Sequence, residues 1–327
     1  MHLFSSDPAQ RSNTGASHES WADGDEDPSG YIVDDEGLVA AINTSLILQQ
    51  PLLLTGDPGT GKTRLADRIA WHFGLPRPLR FQTKSTSEST DLFYTFDAIG
   101  RFNAAHSGDE NAGDPRKFIH YRALGQAILE TLEPEVRKDA GAAVGMGETR
   151  RNVVLIDEVD KAPRDFPNDL LGELSGRLKF TVPELQSKTF VADQQLSPIV
   201  IITSNSEKNL PDPFLRRCAY YHIEFPSDET LRRIVGARVE HPNLAETRLV
   251  TSAISAFQIL RKRFSRKMST AELIDWVRVL VAFDANPNQT VQQQSSLCGQ
   301  TISSLAKTQI ERKRALEMLQ SWERDGE

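Results

Sequence analysis

The chain has 327 residues, of which 39% are hydrophobic and 25% charged, a balance that fits a soluble globular protein with one large domain and a smaller one. No apolar run approaches a membrane span, and Cys218 and Cys298 make no disulfide framework, so the expected setting is a reducing cytoplasm without membrane attachment. A net charge of −7 argues against coating nucleic acid by bulk electrostatics and leaves room only for a local basic patch.

Residues 1–30 are rich in Ser, Asp, Gly and Glu, with the acidic run Asp23-Gly24-Asp25-Glu26-Asp27, and are expected to form a disordered acidic tail. Next comes an extended stretch and a helix, in which Leu38, Ile42, Leu46 and Leu48 recur at near-helical spacing. Tyr31, Ile32 and Val33 are candidates either for contact with a nucleotide base or for ordinary core packing. Pro51-Leu52-Leu53-Leu54 reads as a strand, and Leu65 and Ile69 mark one face of a following helix. Between them runs Gly56-Asp57-Pro58-Gly59-Thr60-Gly61-Lys62-Thr63, trailed by Arg64. A glycine-rich turn between strand and helix lets several backbone N–H groups point into one concavity, where the helix dipole adds attraction for anions. Lys62 is placed to reach β- and γ-phosphates and the Thr63 hydroxyl to hold Mg²⁺, so this stretch implies a bound nucleoside triphosphate.

Residues 79–83 read as a second strand. Residues 92–121 then carry Phe93, Tyr94, Phe96, Phe102, Phe118 and Tyr121 around a turn-rich tip, the pattern of a projecting hairpin or loop whose aromatics either grip a polypeptide or pack its base. A helix is expected over 123–132 and a mobile glycine-containing loop over 133–150. Asn152-Val153-Val154-Leu155-Ile156-Asp157-Glu158 describes a buried parallel strand delivering two acids at its C-terminal edge, where ligands sit in open α/β sheets. Asp157 is the expected Mg²⁺ residue, and Glu158 is expected to orient or activate the attacking water.

Leu170, Leu171, Leu174 and Leu178 place a helix over 165–178, and a short hairpin is expected over 180–193. Another buried strand, 198–205, ends in Thr203-Ser204-Asn205, which puts the Asn205 amide beside Glu158 to hold the water or the γ-phosphate. Arg216 and Arg217 end a short helix ahead of the strand 220–225. An arginine inserted into a neighbouring site is worth about 10³–10⁵ in rate. A surface ion pair is worth at most about 1 kcal/mol.

Beyond Pro226 the pattern is helical, with Asp228 expected to cap a helix through Val235, a helix over 245–262, Thr270 capping 271–283, and an amphipathic helix over 303–324. The cluster Arg261-Lys262-Arg263 and Arg266-Lys267 suits a nucleic-acid patch, a lid over phosphates or a solvated face. Paired-Cys, His-Glu-x-x-His and Gly-x-Ser-x-Gly patterns do not occur, and Cys218 and His222 make only two ligands.

Taken together, Lys62, Asp157-Glu158, Asn205 and Arg216-Arg217 make the chain resemble the AAA+ ATPases, and among them the MoxR family most, over residues 31–283. Gly56 to Thr63 is the Walker A motif, Leu155-Ile156-Asp157-Glu158 Walker B, and Asn205 sensor 1. The resemblance implies an α/β fold, a P-loop NTPase parallel sheet flanked by helices over 31–226, with an insert in helix 2 at about 92–121 that faces a central pore, and a small all-helical lid over 227–327. It makes Asp57, Pro58, Gly59, Thr60, Gly61, Lys62, Thr63 and Arg64 the nucleotide-binding residues and Thr63 and Asp157 the metal residues. The family's Asp-Arg-Phe finger triplet reads Arg216-Arg217-Cys218, so alignment selects Arg217, with Arg216 sharing or replacing it. The sensor 2 arginine position falls on Ala271; either Lys267 or Arg266 substitutes, or the lid couples weakly to nucleotide. The implied activity is Mg²⁺-dependent ATP hydrolysis by a hexameric ring that remodels a protein client, commonly with a partner bearing a von Willebrand factor A domain. An ATP-driven nucleic-acid motor or loader, as in restriction or phage defence, is the alternative. A small-molecule kinase would not need the Glu158, Asn205 and Arg217 combination.

Overall fold

The computed structural model describes residues 3–11, 27–141, 148–174, 176–205, 210–239 and 241–325. The chain divides into two compact units. Met1–Asp23, Asp35–Thr55 and Lys62–His222 form the first, and Gly24–Asp34, Gly56–Gly61 and Ile223–Glu327 the second.

The first unit contains strands β1 (Leu52–Thr55), β2 (Leu79–Gln82), β3 (Tyr94–Phe96), β4 (Ile119–Tyr121), β5 (Val153–Asp157), β6 (Lys179–Val182), β7 (Lys188–Val191), β8 (Ile199–Thr203) and β9 (Ala219–His222). Its helices are α1 (Glu36–Leu48), α2 (Lys62–His72), α3 (Ala98–Ser107), α4 (Ala123–Leu129), α5 (Pro134–Ala140), α6 (Phe166–Asp169), α7 (Leu171–Leu174) and α8 (Asp212–Leu215). Five strands form a sheet in the order β2-β5-β8-β1-β9, every neighbouring pair parallel. The three inner strands are apolar along nearly their whole length because both sheet faces are covered. Leu53, Val154, Ile156, Val200 and Ile202 pack with Leu124, Ile128, Phe166 and Phe180 on one face. On the other, Tyr221 pairs with Leu54 and its hydroxyl donates to Asp35, the N-cap of α1. Register places Gln82 opposite Asp157, Leu54 opposite Thr203 and Thr55 opposite His222, so the C-terminal strand ends share one rim.

The expected projection at 92–121 is an antiparallel pair, β3 and β4, enclosing α3. Its aromatics divide between the two readings. Phe93 and Tyr121 pack on Phe180 at ring distances of 5.4 and 6.0 Å, whereas Phe102 and Ile99 are 62% and 75% exposed. The hairpin expected over 180–193 is β6–β7.

Several expectations need correction. The disordered tail does not hold for the described part of residues 1–30: Phe4 is only 3% exposed and stacks against His72 at 4.8 Å. Arg68, fully buried beneath it, sets its guanidinium over Phe4 and Trp71 and donates to the Ser6 carbonyl. Burial lowers the Arg68 pKa to about 10, which still leaves it charged at neutral pH. An apolar Phe4 within a polar stretch was the readable sign. Residues 12–26, with most of the acidic run, lie outside the described residues. Part of the expected loop at 133–150 is the helix α5, started by Pro134, while 142–147 are not described. The single helix expected over 165–178 is two short ones, α6 and α7, and Leu48 is exposed rather than on the buried face of α1.

The second unit is helical: α9 (Asp228–Arg238), α10 (Arg248–Arg263), α11 (Thr270–Ala282), α12 (Ser295–Thr301) and α13 (Gln309–Asp325). Its core surrounds Trp276, whose indole N–H donates to Thr301 at 3.1 Å, with Phe257, Leu260, Met268 and Ile302. Two caps fall one residue before the expected ones. Ser227 accepts from the Thr230 N–H, and Ser269 forms a reciprocal capping box with Glu272, which makes Asp228 and Thr270 first-turn residues. The helix expected from Ser303 starts at Gln309, because Ile302–Ser304 form a separate 3₁₀ turn.

Phe4→Ala is expected to lower stability by about 2–4 kcal/mol, since the ring is enclosed on several sides. A urea midpoint unchanged from wild type would show that the N-terminal segment does not hold to α2.

Candidate active site

Within the sheet unit, the rim gathers most of the expected residues. Lys62 and Thr63 open α2, where the helix dipole favours an anion. Lys62 is buried, and the Thr63 hydroxyl lies 3.1 and 3.3 Å from the two carboxylate oxygens of Asp157 at the end of β5. Arg64, half-buried, is on the same first turn. The Thr203 hydroxyl donates to Asp157 Oδ1 at 2.5 Å and accepts from the Glu158 N–H at 2.9 Å. One hydroxyl on β8 therefore holds the Asp157 carboxylate at the end of β5 and the backbone N–H of Glu158 just beyond it.

Glu158 takes up a left-handed backbone conformation, φ 57° and ψ 51°. For a residue with a Cβ this costs on the order of 1–3 kcal/mol and persists only where surroundings enforce it. Here the enforcing groups are visible. Asn205 Nδ2 donates to Oε1 at 3.1 Å, Gln82 Nε2 donates to Oε2 at 2.7 Å, and the Lys161 ammonium pairs with Oε2 at 2.5 Å. The Asn205 N–H donates to Asp160 at 3.2 Å, which anchors the amide beside Glu158. Such a carboxylate is oriented, and it can take a proton from water once a donor lets go.

The loop Gly56–Gly61 belongs to the helical unit. Gly59 and Gly61 have φ of 78° and 92°, a conformation open to glycine, and a Cβ on Gly59 would come within 2.1 Å of the Ser269 Cβ. Thr60 is buried and donates to the Asp57 carbonyl at 3.0 Å, while Pro58 is exposed. Of the three candidates for base contact, Tyr31 lies against Gly61, Ile32 is half-buried and Val33 is buried. Arg261 Nη2 reaches Asp57 Oδ2 at 2.6 Å, with the Lys267 ammonium 3.9 Å from the same oxygen. Arg266 is instead spent on Glu272, Glu311 and the Leu305 carbonyl.

Arg216 and Arg217 stand apart from this group. Both are exposed at the end of α8, and Arg217 Nη1 donates to the Pro213 carbonyl at 3.0 Å. Burial pushes the adjacent Cys218 thiol up to about 12, so it stays protonated and a poor nucleophile at neutral pH. Sequence reasoning passed over Gln82, Thr203 and Lys161, and read Arg261 only as part of a basic cluster. The position of Gln82 and Thr203 at strand C-termini was the available signal.

A glycine-rich turn opening a helix, a lysine and threonine at its start, and a strand-end acid on the threonine define a P-loop nucleoside triphosphatase. Residues 52–227, more than half of the chain, match the model of the ATPase family associated with various cellular activities (AAA), and the chain belongs to that family. It is therefore an ATPase of the AAA+ class, built on an α/β core with a helical C-terminal region. Comparison with curated proteins finds no match. Members of the family bind ATP, generally with Mg²⁺. The residues fit both: three positive-φ glycines, Gly56, Gly59 and Gly61, bend the loop as an anion cradle requires, and Thr63 with Asp157 offers the hard oxygen donors that Mg²⁺ takes. Among the described residues no helix is long and apolar enough to cross a membrane.

Thr203→Val should strip the shared hydroxyl from Asp157 and Glu158. The expected cost is about 1–3 kcal/mol of stability, from the unpaired Glu158 N–H and the lost carboxylate contact. Turnover at saturating ATP should fall more than ATP affinity. Equal affinity and equal turnover, read by equilibrium binding and steady-state kinetics, would show that Thr203 does not position the acids.

Proposed function

We propose that this ATPase works as a ring, a hexamer of the MoxR type, and uses each cycle to remodel or activate a protein client in the cytoplasm. The observation that carries the reading is the separation of roles on the protomer. Thr63, Asp157, Glu158 and Asn205 meet at one sheet rim, while Arg216 and Arg217 are exposed on α8. An arginine that leaves the surface is available to a neighbouring protomer's nucleotide.

In this reading the loop N–H groups and Lys62 bind the phosphates, and Thr63 and Asp157 hold Mg²⁺. The ion, when bound, offsets phosphate charge. Asn205 and Glu158 orient the water, with Glu158 accepting its proton as the β–γ phosphoanhydride bond breaks. Arg217, with Arg216 beside it, stabilises the charge of the transition state from the adjoining protomer. Exposed Ile99 and Phe102 on α3 supply an apolar grip for a client polypeptide. A partner carrying a von Willebrand factor A domain is the associated expectation. The nucleic-acid alternative draws less support, because Arg261 and Arg266 of the basic cluster are engaged with acids of the same unit.

Glu158→Gln should keep ATP binding while turnover falls by about 10²-fold or more, trapping the assembled ring. Arg217→Ala should likewise bind ATP yet lose about 10³-fold or more in rate, measurable on assembled protein by phosphate release. Undiminished hydrolysis by assembled Arg217→Ala protein would remove the trans-acting role.

A further inference from the structure

The edge of the sheet opposite the nucleotide rim carries a polar cluster of its own. There, at the N-terminal ends of β1, β5 and β8 and beside the last turn of α1, lies a narrow cleft open to solvent, with about 330 Å³ of space. Leu46, Leu178 and Val200 line it, together with Arg151, Gln50 and Ser197. Arg151 is half-buried, and burial lowers its guanidinium pKa, yet among the described residues no carboxylate pairs with it. The neighbouring Arg150, by contrast, takes Glu130 at 2.6 Å. Arg151 Nε donates to the Ser197 carbonyl at 2.7 Å, which fixes the stem and leaves the two Nη groups without a hydrogen bond to any described residue. Nor is the arginine needed to cap α1, because the Ser45 carbonyl already accepts the N–H groups of Gln49 and Gln50.

We propose that this cleft is a docking point for a protein partner, which inserts an acidic side chain against Arg151 and Gln50. A guanidinium tied down at Nε presents its Nη donors in one plane, the arrangement that holds a carboxylate by charge-assisted bonds. Charge decides the sign. A cation partly withdrawn from water and without an acid gains from an anion and repels a second cation. Size decides the carrier. The cleft admits a carboxylate and a short stem, and affinity is bounded by the number of non-hydrogen atoms in contact, so a free acid held here alone binds weakly. A protein brings the same group together with contacts outside the cleft. Ile47 and Leu48, both exposed on the last turn of α1, offer apolar surface for such contacts. Since Asp157 and Thr63 lie at the other edge, docking touches no residue of the nucleotide rim and requires neither the ring nor its client.

The test is an NMR titration of the full-length chain that reads the Arg151 Nε–H and the Gln50 side-chain amide. Its probes are the capped peptides Ac-Leu-Glu-Leu-NH2 and Ac-Leu-Gln-Leu-NH2, and butyrate. The glutamate peptide should shift both signals saturably and bind about tenfold or more tightly than its glutamine twin and than butyrate. Arg151→Gln should weaken the glutamate peptide by about tenfold or more, read at the Gln50 amide. Gln50→Glu, which supplies a carboxylate to the same cleft from within the chain, should weaken it as much, read at Arg151 Nε–H. That variant remains decisive if Arg151→Gln fails to fold. No saturable shift with the glutamate peptide, equal binding of the glutamine peptide, or undiminished binding to either variant would overturn the proposal. Butyrate binding as tightly as the glutamate peptide would assign the cleft to a small free acid and overturn the protein partner.

Discussion

The Asp157 carboxylate is where fold and chemistry meet. It ends a strand with no exposed position before it, and adjacent strands about 4.8 Å away limit which side chains can reach it. Thr203 on β8 reaches it across the sheet, and Thr63 reaches it from the start of α2. Both contacts depend on parallel registers that bring all the strand ends to one edge. A slip of one residue in β5 or β8 would turn these groups toward the opposite face. The site is thus as firm as the buried sheet beneath it.

From that anchor the strain at Glu158 becomes intelligible. Thr203 holds its N–H, and Asn205, Gln82 and Lys161 hold its carboxylate, so donors from three parts of the sheet unit keep an unfavourable backbone in place. The restraint falls on the residue proposed to meet the attacking water. Ordered donors around an acid orient it without reorganisation during reaction, which is the general way proteins lower charge-dependent barriers. Asp57 shows the same economy of charge in the helical unit, where an acid and an arginine define each other's position.

Much of the architecture was legible from local pattern. Continuous apolar runs announced the inner strands, the glycine-rich turn announced its own bend, and the acids and asparagine followed as the residues at strand ends. The projecting segment at 92–121 was visible from its aromatics. How they divide between base and surface was not, because Phe180, which receives Phe93 and Tyr121, lies far along the chain. Composition misled at the N-terminus, where one phenylalanine and a buried arginine outweigh a polar surrounding.

What the sequence by itself determined is whatever depends on neighbours within a few residues: the phosphate-loop turn, the burial of β1, β5 and β8, and the identity of Lys62, Asp157, Glu158 and Asn205. Tertiary structure alone decided who stands beside them. Gln82 is 76 residues from the acid it orients, and Arg261 is 204 from the one it pairs with. Strand order and helix packing set those meetings, and no local periodicity encodes a hydrogen bond across such distances, because its partners become neighbours only when the chain has closed.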